Sequence, residues 1–304
     1  MRLLAATGMW AAGAMLVATA HARTIEVVPR VATRSAPAPK LAPGSPGTIG
    51  WAIAQQEKKV RFKRAQSEGA LPERDPDGTC PAEMANVDRR FCVDRWEGSL
   101  EELLEDGSTQ PWPATTVLDL TKQYRAVSAP GLVPQAYISG TQAAEACRKS
   151  GKRLCEASEW RLACAGREGT IYPYGTTRVE RRCNDYGRAP MYSFYPQVEK
   201  SWALVTNTDM NDPRLNLLEG TVAKTGEHPG CVNDWGLYDM VGNLHEWTAD
   251  PNGTFQGGYY LDTLINGEGC AYRTTAHDID YHDYSTGFRC CADLLPGSGL
   301  DDDE

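Results

Sequence analysis

Ten cysteines, even in number and all lying beyond residue 79, constrain this chain more than any other feature. The residues ahead of them set the compartment in which they fold. Met1 and Arg2 give a short basic start, an apolar run follows from Leu3 to Ala18, and Ala20-His21-Ala22 supplies a small-x-small end. That layout predicts a secretory signal over residues 1–22. An uncleaved anchor is the alternative, because the apolar run is marginal in length for a bilayer. In an exported chain an even set of cysteines reads as a disulfide framework. Each cysteine is therefore a structural group first and a catalytic one second, and the expected location is the periplasm, the cell envelope or the outside.

Residues 23–78 hold too few apolar side chains to build a core and read as a Pro/Ala-rich, basic linker ("RSAPAPKLAPGSPG"). Within it "WAIAQQEKKVRFKRAQ", Trp51 to Gln66, can form a basic helix against an anionic surface or remain a solvated linker. Membrane contact is expected only through this N-terminal part. The folded region is placed at residues 79–296, with 297–304 as an acidic tail. The formal net charge of -9 argues against nucleic acid as a partner. Between these ends the chain is dense in Gly, Asn, Asp, Trp and Tyr, the composition of an α+β domain low in regular secondary structure. Two helices are legible. Ser139 and Gln142 form a capping-box pattern ahead of "AAEACRKSG", with Gly151 as the stop. The stretch Glu156 to Gly166 puts Trp160 and Cys164 four apart on one inward face.

At "GKRLCEASEWRLACAGREGTIYPYG", "GLYDMVGNLHEWTAD", "QGG" and "GFRCCAD" the sequence resembles the formylglycine-generating enzyme family, also called the sulfatase-modifying-factor domain. The resemblance covers Cys80 to Pro296. It implies a single α+β fold related to the C-type lectins. Oxidase members of the family convert a sulfatase cysteine to formylglycine with oxygen and a copper(I) ion held by two thiolates, for which soft sulfur is the suitable ligand. In the family pattern those cysteines follow a Gly-Gly step. Here the step is Gly257-Gly258, and Asp262 falls at the first copper position while Gly267 lies near the second. Neither can supply a thiolate, so copper is not expected. The implied role is a binding module for a peptide, protein or glycan, with an oxidase of displaced cysteines as the alternative.

By the same resemblance Cys147 pairs with Cys290 and Cys164 with Cys270, each closing a loop of over a hundred residues. The chain-entropy model gives such closures about 4 to 5 kcal/mol. Cys80 with Cys92 is the nearest-neighbour pairing. Cys155, Cys183, Cys231 and Cys291 allow three connectivities, of which Cys155–Cys183 with Cys231–Cys291 is the one expected. Adjacent Cys290 and Cys291 should take separate partners, because side chains alternate along a strand.

Family members bind calcium at "VGNLHEWT". Asn243 and Glu246 offer hard oxygens, and Gly242 lets the carbonyls of Val241 and Leu244 turn in to join them. The competing reading is that Asn243 and Glu246 satisfy buried backbone donors. A second calcium set would draw on Asn184, Asp185 and Asp212. The ligand groove is expected at Tyr259, Tyr260 and Asp262, with Tyr281 and Tyr284 from the late loop, aromatic and acidic groups that suit a basic peptide or a sugar. His245, His277 and His282 match no zinc spacing, and "HDIDYHDY" reads as an acidic, aromatic contact loop.

Overall fold

The computed structural model describes residues 78–295. The expected signal, the basic linker up to residue 77 and the whole acidic tail lie outside them. Among the described residues no helix is long and apolar enough to cross a membrane.

Regular structure is sparse and divided among three small sheets. The first runs β1 (Met84–Val87), β2 (Phe91–Asp94), β11 (Cys290–Ala292) and β6 (Arg153–Leu154), so the last strand of the domain is inserted between two early ones. The second runs β10 (Thr286–Phe288), β7 (His245–Trp247), β8 (Phe255–Gln256) and β9 (Arg273–Thr274), with β10 and β7 parallel. The third sets β3 (Ser99–Leu103) between β4 (Thr109–Pro111) and β5 (Gln123–Val127), antiparallel to both. Strands of two to five residues cannot bury enough surface alone, so they depend on what is packed and bonded across them.

Helix α1 (Gly140–Lys149) begins on the expected capping box. Ser139 Oγ accepts from the Gln142 amide, and Gln142 Oε1 accepts from the Ser139 amide at 3.0 Å. Ala143, Ala146 and Cys147 form its buried stripe. Helix α2 (Ala157–Ala165) buries Trp160, Ala163 and Cys164 on one face and stops at Gly166. Two short helices follow, α3 (Pro190–Phe194) and α4 (Asn207–Met210), within long loops.

All ten cysteines are in disulfides. Cys80–Cys92, Cys147–Cys290 and Cys164–Cys270 pair as expected. The other two differ from expectation: Cys155 pairs with Cys291, and Cys183 with Cys231. The reason is β6, which lies antiparallel to β11 with Arg153 opposite Cys291 and Leu154 opposite Cys290, so that Cys155, one residue past β6, comes opposite Arg289 and lies diagonally across from Cys291 on the same face. Alternation on β11 then sends Cys290 towards α1 and Cys291 the other way. A two-residue strand leaves no periodic trace in a sequence, and that is why the pairing was hidden. Cys183–Cys231 is left to join two irregular loops.

Peptide mapping under non-reducing conditions should recover linked fragments holding Cys155 with Cys291 and Cys183 with Cys231, and none joining Cys155 to Cys183. The double substitution Cys147→Ala with Cys290→Ala should lower unfolding stability by about 2–5 kcal/mol in a urea titration.

Candidate functional site

The site region is built on β7 and its neighbours. Glu246 and Arg289, 1 % and 0 % exposed, form an ion pair in the interior. Arg289 Nε lies 3.1 and 3.0 Å from the two carboxylate oxygens, and a terminal nitrogen adds a 2.9 Å bond. The remaining donors of Arg289 go to the carbonyls of Asp94 and Tyr238. Trp160 on α2 donates its indole N–H to Glu246 at 2.6 Å. Both carboxylate oxygens are thus occupied by cation and indole.

Asn243 sits in the left-handed region at φ +57°. Its Oδ1 accepts from the Asn184 side chain and from the Ala223 amide, both at 2.8 Å. Its Nδ2 donates to Glu97 Oε2 and to the Ala223 carbonyl. Glu97 also accepts from the Leu244 amide. Gly242 is required beside it, since at φ +83° a Cβ would lie 2.3 Å from the Asn184 carbonyl oxygen. These side chains satisfy buried donors, which is the competing reading of the motif.

Calcium takes six to eight oxygen ligands, and the side-chain oxygens of the first set are already engaged within the protein. Glu246 is committed to Arg289, and Asn243 Oδ1 already has two donors. Nor do the second set converge. Asn184 reaches Asn243 and the Thr221 carbonyl, Asp185 pairs with Arg178, and Asp212 is held by Arg214 and the Tyr195 hydroxyl. Among the described residues there is no group of three or more His, Cys, Asp or Glu placed to hold a metal.

Of the expected groove residues, Tyr260 and Tyr284 are core, at 0 % and 4 % exposed, and pack with Tyr137, Met191 and Leu244. The Tyr260 hydroxyl is consumed by Asn216. Asp262 holds a loop: its Oδ1 accepts from the Leu264 and Ile265 amides and its Oδ2 from the Tyr272 hydroxyl. Gly267 has φ +119°, and a Cβ there would lie 2.5 Å from the Ala271 carbonyl oxygen. Tyr259 and Tyr281 remain half-buried, and Leu264 and Ile265 stand exposed at the loop tip.

Beneath this surface lies His245, which sequence reasoning left without a role. Its ring centroid is 4.4 Å from Phe255, 4.8 Å from Tyr259 and 5.4 Å from Tyr272. His277 stacks on Tyr281 at 3.9 Å and also on Phe255. Burial, with His277 nearby, holds the His245 imidazole down to about 3. Around Arg289 the opposite occurs. Burial pushes the Glu97 carboxyl well above its ordinary range and Asp239 up to about 7, neighbouring acids adding to the effect.

The domain matching the family model for a sulfatase-modifying factor enzyme 1-like domain spans residues 67–294. The chain belongs to this family. It is 29% identical over 191 residues to the formylglycine-generating enzyme of Bos taurus, covering 55% of this chain and 46% of that protein. It is 27% identical over 171 residues to the inactive C-alpha-formylglycine-generating enzyme 2 of the same species, covering 52% of this chain and 50% of that one. The chain therefore spans about half the length of the curated relatives it matches. Among solved structures, the Major Tropism Determinant I1 variant overlaps 71% of this chain and 54% of its own, at 15% identity and a TM-score of 0.40. CarF overlaps 67% and 87%, at the same identity and TM-score.

Arg289→Met should cost about 3–5 kcal/mol, because Glu246 would be left buried without its cation; the urea midpoint at neutral pH reads this directly. The pH dependence has two limbs. His245 takes its proton more readily in the unfolded chain, so its contribution is complete above pH 6.5 and is lost as the pH falls towards 3. Asp239 keeps its proton in the fold, so stability declines as the pH rises from 3.8 towards 7. Urea midpoints measured against pH should show the acid limb flattened in His245→Phe and the other limb reduced in Asp239→Asn.

Proposed function

We propose that this is an exported, non-catalytic member of the family that acts as a binding module for a peptide, protein or glycan. The observation that carries the reading is that five disulfides take up all ten cysteines, leaving no thiolate pair for copper(I). The late loop supports it: Asp262, at the first copper position, caps the turn, and Gly267 stands where the backbone tolerates no Cβ. Five disulfides also suit an oxidising compartment, in keeping with export. Inactive relatives within the family are compatible with the same role.

The binding surface in this reading is the tip of the late loop, where Leu264 is 49% and Ile265 82% exposed, together with Tyr259 and Tyr281 behind it. Half-buried tyrosines beside an apolar rim are suited to recognition, since they present large rigid surfaces at small entropic cost.

Thiol titration of the denatured, unreduced protein should find no free thiols, and the native protein should neither take up copper(I) nor consume oxygen with cysteine-containing peptides. Two titratable thiols with tight copper(I) uptake would establish instead an oxidase with displaced cysteines.

A further inference from the structure

The stretch from residue 161 to 188 carries six arginines, no lysine and only three acids, in a chain whose formal charge is -9. Three of its arginines lie over aromatic rings. The Arg167 guanidinium lies 3.7 Å from the Trp235 ring, Arg181 4.6 Å from Tyr186, and Arg182 4.8 Å from Tyr174. These contacts are braced from beneath. Cys183–Cys231 bolts the arginine loop to the segment leading to Trp235, and Arg182 Nε donates to the Gly230 carbonyl at 2.9 Å. Asn233 in turn donates to the Ala163 carbonyl and ties that segment to the end of α2.

Three of these cations have no carboxylate within ion-pairing distance among the described residues: Arg161, Arg182 and Arg188. Arg182 spends only its Nε, so its terminal nitrogens keep their donors for a ligand. Arg181 meets Glu180 at 3.5 Å with both side chains more than half exposed, a pairing of little energetic weight. The exclusive use of arginine matters, because a guanidinium offers a planar fork to a carboxylate or sulfate, which an ammonium does not. Stacking on a ring and fixing the loop by a disulfide hold the forks in place before a ligand arrives, which lowers the ordering cost of binding.

We propose that this arginine–tyrosine face binds an anionic polysaccharide, its carboxylates or sulfates taken by Arg167, Arg181 and Arg182 and a sugar ring resting against Tyr186, which is 59% exposed. Glu180 and Asp234 flank the forks as acceptors for sugar hydroxyls. A regularly charged polymer matches guanidinium forks that are each held in place better than a fluid lipid surface does. The face shares no residue with the late-loop surface, and its binding is independent of what that loop recognises.

The test uses the full disulfide-bonded protein with carboxymethyl-dextran, dextran sulfate and neutral dextran as probes, and phosphatidylglycerol vesicles as the rival source of anions, at about 0.15 M salt. Binding to at least one charged dextran and not to neutral dextran is the expected result. Arg181→Gln, an exposed change that leaves the disulfides and packing alone, should weaken it by about tenfold. Arg182→Lys should weaken it to a similar degree, although the charge is kept, because the fork is lost. The proposal is overturned if neither charged dextran binds, if both variants bind like the parent while unfolding at its temperature, or if the vesicles are bound more tightly than either polymer.

Discussion

The buried pair of Arg289 and Glu246 is the contact on which the remaining structure hangs. Moving two charges out of water costs several kcal/mol each, and their attraction offsets this only if every remaining donor and acceptor is met. Here they are met by different elements: Trp160 from α2, the Asp94 carbonyl at the end of β2, and the Tyr238 carbonyl from the loop before β7. Because Arg289 lies between β10 and β11, a single side chain joins two sheets that share no strand pairing. A domain of two- to five-residue strands has few other ways to fix how its sheets meet. An apolar residue of equal volume could be as stable, but it would not demand that two carbonyls and one indole converge on the same pair.

Around that pair the acids outnumber the cations. Glu97, Asp239 and Glu246 act on one another, while Arg289 is the cation that faces all three. Glu97 is tolerated because it does backbone work, accepting from Asn243 and from the Leu244 amide, and it holds its proton far more readily than an exposed acid. The motif that invites a calcium ion is therefore knitted into the interior by its own hydrogen bonds. Asn243 and Asn184, separated by 59 residues in sequence, meet side chain to side chain and close the loops on each side of them.

What was legible in the sequence follows from how local the determinants are. The start of α1 is written in Ser139 and Gln142, three residues apart, and the buried face of α2 in Trp160 and Cys164, so both helices could be placed. Three disulfides were legible, two through the resemblance and one through proximity. Cys155–Cys291 was not, because it depends on the registration of a two-residue strand against a partner 136 residues away. Glu246 was singled out, but its partner was not. The one signal was an arginine set between Phe288 and Cys290 in an apolar run, where an unpaired charge could not survive. Tyr260 and Tyr284 were misplaced for a related reason: a tyrosine following a turn looks the same whether its ring points to solvent or into a core that offers its hydroxyl a partner.

The late loop and the ion pair are held by largely separate sets of contacts. The loop between Tyr259 and Cys270 is held by its own contacts: Asp262 caps it, the Tyr272 hydroxyl fastens that cap, and Cys164–Cys270 anchors its end to α2. None of these three contacts involves Arg289, Glu246 or Asn243, although at the start of the loop the Tyr260 amide donates to the Asn243 carbonyl at 3.1 Å. Asp262 thus acts on the loop and its surface and not on the interior pair. The reverse does not hold, since α2 supplies both Cys164 to the loop and Trp160 to the buried carboxylate. A change that loosened Glu246 would move α2, and with it the anchor of the loop. Selection on binding can therefore act on the exposed loop tip at Leu264 and Ile265, whereas Tyr260, Asp262, Gly267 and Cys270 hold the loop and the residues around Arg289 hold the interior.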